Sequence, residues 1–443
     1  MSSGVVSIIG IIVGLVIMII LAYRGVHLLI CTPIASVIVA AFSMQNPITM
    51  LSGAYMTKFC GFMQSYFLLF MFSAMFGALM GITGSAKGIA KAITKLCDKA
   101  PEHQRKFWGV IAMTVISLVL GYGGINGFVI VYTITAINRE LCKNLDLPWH
   151  LSMLNMIAGG LWVQGFLPGS PSIQNLIPMT FLGTSPTAGA GIGIVCSLIA
   201  TVLWLFYVKY DLKKAEKAHE GYLPTGAEIE KVSFEVSDAN TPGIVKSLIP
   251  SIVLLVTLNV VKWNALFCLI VASVVAIAMF WPAFGSWRKL VDTLADGAKN
   301  SVSAVSATCA CVGFGGVVAA VSGYQTILAG LTKLPGPPIF QFYLAVMVAA
   351  GATGSGSGGL TIALNSLGQR FLDMGINPQV MHRIGTMACC SLDTLPHNGA
   401  IVNTLMVSRL THKQGYTHVF MISVVITTIC GLIGVALSTA GLV

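Results

Sequence analysis

The chain has 443 residues, of which 56% are apolar and only 9% charged, with a net charge of +10. A soluble domain carries about 25% charged residues, so these proportions exclude an ordinary soluble enzyme. They also turn the positive charge away from nucleic acid and toward loops held at the cytoplasmic face of a membrane.

Read from the N-terminus, apolar runs approach or reach the roughly 20 residues a helix needs to cross a bilayer. They fall at Gly4–Ala22, Tyr66–Ile82, Ile192–Tyr207, Ile244–Val261, Val302–Val321 and Val419–Leu437. The first run has no basic residues before it, and its apolar core is longer than the roughly 7–15 residues of a cleavable signal, so it reads as the first span. Gly10 and Gly14 in that run form GxxxG, which reads as close helix packing. The 11 cysteines show no zinc or redox spacing, and Cys309, Cys311, Cys389 and Cys390 read as small packing residues in apolar helices. No metal site or cofactor is expected. No GxxxxGK[ST] phosphate loop is present, so ATP-driven transport by this chain alone is not expected either.

The sequence repeats itself internally. Leu167–Asn175 reads LPGSPSIQN and Leu395–Asn403 reads LPHNGAIVN, both fitting L-P-x4-I-x-N. Upstream, Thr94-Lys95-Leu96 recurs as Thr332-Lys333-Leu334. Between these markers each half carries a glycine-rich break, GYGGING at 121–127 and GSGSGG at 354–359, and each break is followed by an apolar stretch ending at Arg139 or Arg370. The order of the matches reads as duplication. The first half, 1–208, divides into segments 4–22, 27–45, 64–83, 109–141, 150–183 and 188–208. A linker, 209–242, follows. The second half, 243–443, divides into 243–261, 264–282, 302–322, 339–372, 380–411 and 418–440.

Loop charge sets the orientation. Residues 84–107 carry Lys87, Lys91, Lys95, Lys99, Arg105 and Lys106, whereas the matching 323–338 carries only Lys333. The positive-inside rule puts the first loop and the linker in the cytoplasm and the second loop outside. Opposite orientation of the halves needs an odd number of crossings in each, which follows if the glycine-broken segments 109–141 and 339–372 are re-entrant hairpins. The expected fold is therefore an all-α polytopic membrane protein. It is an inverted repeat with about ten transmembrane helices, two hairpins and two helices broken at Leu-Pro, with both termini outside.

Irregular backbone at membrane depth is tolerated only where protein or a water-filled cavity surrounds it. Inverted repeats with interrupted helices mark secondary transporters, whose site lies near the midplane with helix N-termini facing anionic groups. The four breaks are thus expected to converge on one site. Candidate substrate-binding residues are Gly123, Gly124 and Asn126; Ser170, Ser172 and Asn175; Ser355, Ser357 and Gly358; and Asn398 and Asn403. Hydroxyls, amides and bare N–H groups suit a carboxylate or a polyhydroxy acid. Asp393 is the acidic residue placed deep in a span, where an ionisable group is a functional candidate by default, for a proton or for sodium. His397 is the second candidate for coupling. Close packing is the alternative for the glycines and serines, a salt bridge or helix cap for Asp393, and a structural histidine for His397. His382 and Arg383, near a segment end, read as snorkelling residues.

The paired Leu-Pro breaks, the glycine–serine stretch at 354–360 and SLDTLPHNGAIV at 391–402 resemble the gluconate permease family of the ion transporter superfamily. The LPHNG variant is most similar to members described as hydroxybutyrate or short-chain acid permeases, and gluconate-type members are less similar there. The likeness spans nearly the whole chain and is most specific at 354–360, 391–403 and 167–175. The resemblance implies symport of a small organic anion, usually with protons, a homodimer, and an elevator-like motion of a transport domain against a scaffold. The expected function is import of a hydroxy- or monocarboxylate such as gluconate or 3-hydroxybutyrate across the inner (plasma) membrane by proton symport. Sodium coupling is the alternative, followed by a passive channel. An intramembrane enzyme would need a nucleophile–base pair or a metal cluster, and neither spacing supports one.

Overall fold

The structure, a computed structural model, describes residues 3–123, 127–231, 241–261 and 263–443. The described residues are helical throughout, without a strand, and several helices are long and apolar enough to cross a bilayer. The chain is a multi-pass helical membrane protein.

The first half runs α1 (Ser3–Tyr23), α2 (Leu28–Phe42), α3 (Pro47–Ile82), α4 (Ser85–Cys97), α5 (Arg105–Tyr122), α6 (Gly127–Asn144), α7 (Met153–Leu161), α8 (Ile173–Leu182) and α9 (Ala190–Lys217). The second half repeats this order: α10 (Ile244–Asn259), α11 (Ala265–Met279), α12 (Trp287–Ala320), α13 (Ser322–Leu331), α14 (Pro338–Thr353), α15 (Gly356–Asp373), α16 (Pro378–Cys389), α17 (Gly399–Val407) and α18 (His412–Thr439). Elements in corresponding places of the two orders exchange packing partners. Helix α1 lies on α13 while α10 lies on α4, and α2 lies on α12 while α11 lies on α3. Likewise α6 lies on α17 while α15 lies on α8, and the repeat-related pairs α3–α12 and α9–α18 pack directly on each other.

The expected loops 84–107 and 323–338 instead contain α4 and α13. In α4, Gly88, Ile89, Ile93 and Cys97 are buried along one face, and Lys87, Lys91 and Lys95 occupy the other. The charge that marks the topology hid this helical period. The spans expected at 64–83 and 302–322 are the ends of longer helices: α3 has 36 residues and α12 has 34. At 1.5 Å per residue, 34 residues reach about 51 Å, well beyond a hydrocarbon core of about 30 Å. Charged residues such as Arg288, Asp292 and Lys299 therefore extend α12 without crossing lipid.

Side-chain contacts define the two ends of the molecule. At one end, Lys106 Nζ donates to the Asp146 carbonyl at 2.7 Å, and Asp146 Oδ1 accepts the Tyr222 N–H at 2.8 Å. There too Arg409 donates to Asn300, and the Tyr23 ring packs against His412 and Tyr416. The inter-half segment is fixed to this end by the short helix Ala227–Glu230, whose Glu230 takes two 2.8 Å bonds from Arg139. Burial opposes the Glu230 charge, but donors from Arg139 and Tyr222 outweigh it and hold its pKa at about 2. At the other end, Ser7 Oγ meets Ser43 Oγ at 2.7 Å and accepts the Gly323 N–H at 3.0 Å. The basic segments gather at the first of these ends.

Candidate functional site

Three of the four breaks expected from the sequence lie within the described residues and form from local chemistry; the centre of the fourth, 124–126, lies outside them. Helix α14 stops at Gly354, whose φ of +63° is left-handed, and α15 restarts at Gly356 with Ser355 as its N-cap. After α7, a π-turn at Trp162–Phe166 leads to Leu167-Pro168, and α8 restarts behind Ser172. After α16, a 3-10 turn at Leu392–Thr394 leads to Leu395-Pro396, and α17 restarts behind Asn398. Proline lacks the N–H a helix interior needs, so each Leu-Pro ends regular structure.

These breaks meet at a cavity of about 420 Å³, within the usual 300–1,000 Å³ range of ligand sites. Three helices begin at its wall, α8 behind Ser172, α15 behind Ser355 and α17 behind Asn398, and Gly127 of α6 also lines it. Ser172 Oγ accepts the Asn175 N–H at 3.3 Å, Ser355 Oγ the Gly358 N–H at 3.1 Å, and Asn398 Oδ1 the Ile401 N–H at 2.9 Å. Each cap satisfies one donor of its first turn. The remaining first-turn amides have no intrahelical acceptor, and the helix dipoles put partial positive charge there. Asn398 Nδ2 also donates to the Gly354 carbonyl at 3.2 Å, and Tyr122 Oη donates to the Pro168 carbonyl at 2.9 Å. These two bonds tie each Leu-Pro break to the glycine break of its own half.

The opposite wall is apolar, with Phe62, Tyr66 and Leu69 from α3 and Ile130, Val131 and Ile134 from α6. Among the described lining residues Asp393 is the one charged side chain. Its Oδ1 has no hydrogen-bond partner, and its Oδ2 lies 2.7 Å from where a Cβ on Gly356 would stand. Asn403 is fully buried in the wall with neither amide atom bonded. Buried polar atoms are almost always satisfied, so this pair of orphans requires a reason.

Of the expected residues, Ser172, Ser355, Ser357, Asp393, Asn398 and Asn403 line the cavity. Ser170 and Asn175 lie behind it. Asn175 Nδ2 donates to the Ser170 and Pro186 carbonyls, both at 2.9 Å, and its Oδ1 faces His382 Nε2 at 3.1 Å. Gly123 is not among the lining residues, and a Cβ there would meet Leu255. Gly358 is spent on capping: its N–H bonds to Ser355. His397 is buried outside the cavity wall, edge-on to Phe314 with ring centroids 5.9 Å apart, and neither ring nitrogen makes a hydrogen bond of good geometry. Gly124 and Asn126 lie outside the described residues.

His382 and Arg383 do not snorkel. Both are completely buried, and Arg383 donates to the Ala188 carbonyl at 2.9 and 3.1 Å while His382 bonds Thr184 at 2.7 Å. Proximity to a segment end misled the sequence reading, because the 183–189 turn folds over them. Thr308 was missed: its hydroxyl lies 3.1 Å from the Gly399 carbonyl in the cavity wall. It sits in an unbroken apolar run, so a search for breaks could not find it. Gln164 and Gln174, bonded to each other at 3.4 Å across the first break, also line the wall.

Together the fold and the cavity describe a multi-pass helical membrane protein with an internal site where broken helices converge. No protein-family model matches the chain. It is 26% identical over 468 aligned residues to a Bacillus subtilis (strain 168) protein called "Uncharacterized transporter YxjC", covering 95% of this chain and 97% of that one. A solved structure of the Alcanivorax borkumensis YdaH transporter is 14% identical, with 89% of this chain and 90% of that one covered and a TM-score of 0.34.

Proposed function

We propose that this protein is a secondary transporter that imports a small organic monocarboxylate together with a proton. The observation that carries the proposal is the convergence of three capped helix N-termini, those of α8, α15 and α17, on one cavity that holds no cationic side chain among its described lining residues. Oriented N–H dipoles bind a carboxylate there without a permanent counter-ion. The unbonded amide of Asn403 is a ready partner for the same ligand. The apolar wall of α3 and α6 favours an aliphatic tail over a chain of hydroxyls, which ranks 3-hydroxybutyrate-like acids above gluconate.

Asp393 supplies a physical reason for coupling. A carboxylate substrate and an ionised Asp393 in one cavity repel each other. Adding a proton to Asp393 removes the repulsion, so substrate and proton bind cooperatively. Sodium bound at Asp393 would act in the same sense and is the alternative. The exchange of helix partners between halves and the gathering of basic segments at one end support an inverted repeat in the inner (plasma) membrane, with both termini outside. The resemblance to gluconate permeases and the transporter name of the Bacillus relative agree with transport of an organic anion.

Ligand-induced thermal stabilisation of the purified protein tests the reading with 3-hydroxybutyrate, lactate, gluconate and citrate. A ligand at a hundred times its Kd adds about 2.7 kcal/mol of stability. The expected order places short monocarboxylates first and citrate last. No stabilisation by any of the four acids, at any pH between 5 and 8, contradicts an organic-anion site.

A further inference from the structure

A second cavity, of about 670 Å³, lies toward the basic end of the molecule. It continues the first along the same helices. On α3 the lining passes from Tyr66 to Gly77, and on α6 from Phe128 to Thr135. On α12 it passes from Thr308 to Asn300, and on α17 from Asn403 to Val407. The two compartments are therefore in series, with the second opening among the cytoplasm-facing segments of the topology above.

A single aromatic layer separates them. Phe62 and Tyr66 stack with ring centroids 4.5 Å apart, and Phe70 meets Phe128 at 4.7 Å. Phe128 also lies 5.8 Å from Phe62 and 5.9 Å from Tyr66. Phe62, Tyr66 and Phe128 face the first cavity, Phe70 is wholly buried, and the same cluster packs on Ala304 and Val407, which face the second. A desolvated layer of rings opposes passage of a carboxylate, because an unpaired charge is expensive to bury. The layer is built from two different elements. Phe62, Tyr66 and Phe70 sit on the long helix α3, and Phe128 sits on α6. A shift of α6 against α3 parts the rings without disturbing either helix.

Beyond the layer the chemistry changes. The second cavity is lined by Lys87, Arg139, Lys231, Lys299 and Arg409 against Glu140 and Asp296; Arg139 is paired with Glu140 and Glu230, Lys231 with Glu228 and Lys299 with Asp296, and the lining keeps a positive balance toward which an anion is drawn. We infer that the second cavity is the cytoplasmic release vestibule for the organic anion, and that Phe62, Tyr66, Phe70 and Phe128 form the gate between it and the binding cavity. This rests on the organic-anion reading of the first cavity.

Val312 lines the first cavity on α12, behind the layer as seen from the basic end. In inside-out vesicles carrying Val312→Cys, a membrane-impermeant, charged methanethiosulfonate is applied from the basic end, and modification at position 312 is read by peptide mass spectrometry. With the gate intact, modification is expected to be slow. Phe62→Ala or Phe128→Ala is expected to speed it about tenfold, the population change that ~1.4 kcal/mol produces. Tyr66→Phe, which keeps the ring, stays slow. Where an alanine variant does not yield monodisperse protein, Phe128→Leu gives a smaller rise of the same sign. Equal rates in parent and gate variants, or fast modification in the parent, overturn the gate. The readout uses no transported ligand. A gate result with no carboxylate stabilisation thus rejects the anion site alone, and stabilisation with unchanged labelling rejects the gate alone.

Discussion

Asn403→Leu separates a ligand-binding amide from a structural one. Asn403 is wholly buried on α17, lines the cavity, and leaves both amide atoms without partners. A buried amide without hydrogen bonds costs about 1–3 kcal/mol. A leucine fits because its extra volume enters a cavity of about 420 Å³. The empty protein should therefore become more stable, by up to that amount. The ligand complex should weaken. A hydrogen bond to a charged partner contributes about 1.5–3 kcal/mol, which corresponds to roughly a ten- to hundredfold loss of affinity. Thermal unfolding of purified protein with and without a short monocarboxylate reads both numbers in one experiment. The expected signature is a higher unfolding temperature without ligand and a smaller ligand-induced shift. A variant that loses stability, or one that binds as tightly as the parent, refutes the assignment of Asn403 to the site.

Gly356→Ala places a Cβ 2.7 Å from Asp393 Oδ2 and 2.9 Å from the Cys389 carbonyl, so it should displace the start of α15 and reduce carboxylate uptake more than Ser357→Ala does in the same cells. Glu230→Gln leaves Arg139, 8% exposed in its side chain, with Glu140. Because Glu230 is 22% exposed, the loss in denaturation should be about 2–3 kcal/mol, below the ~3–5 of a fully buried pair. The folded-state pKa of about 2 lies below the ordinary 4.5, so this contribution is present above pH 4.5 and is lost as pH falls toward 2; the Glu230→Gln variant should therefore lose less stability than the parent between neutral pH and pH 2, and an identical acid profile in both argues against the pair. For topology, a membrane-impermeant thiol reagent applied outside should modify Lys333→Cys and spare Lys91→Cys; labelling at position 91 contradicts the inverted orientation.

Much of the site was legible because its residues break helices. Proline at 168 and 396 and glycine at 354 and 356 change the backbone in ways a sequence displays, and the caps Ser172, Ser355 and Asn398 follow them directly. What pattern could not resolve was divergence within the repeat. Asn175 and Asn403 occupy the same place in L-P-x4-I-x-N, yet Asn175 is fully bonded to Ser170, Pro186 and His382 while Asn403 is unbonded in the cavity. The difference comes from which turn folds over each one. Thr308 and the aromatic layer were invisible for another reason: a threonine or phenylalanine in an apolar helix looks the same whether it faces a cavity, lipid or core. The extra helical length of α12 was hidden by charge, which outside the hydrocarbon places no limit on a helix.

Cation-coupled carriage of an organic anion predicts accumulation in proteoliposomes that follows an imposed gradient. The protein is reconstituted without any gradient, then given an acid-outside pH gradient, and separately a sodium gradient at constant pH, with radiolabelled 3-hydroxybutyrate outside. Accumulation above the external concentration is predicted under the pH gradient, with Asp393→Asn retaining exchange but losing accumulation. Accumulation under the sodium gradient alone would replace the proton by sodium. Flux that merely equilibrates the label, alike under all three conditions, would contradict coupled transport.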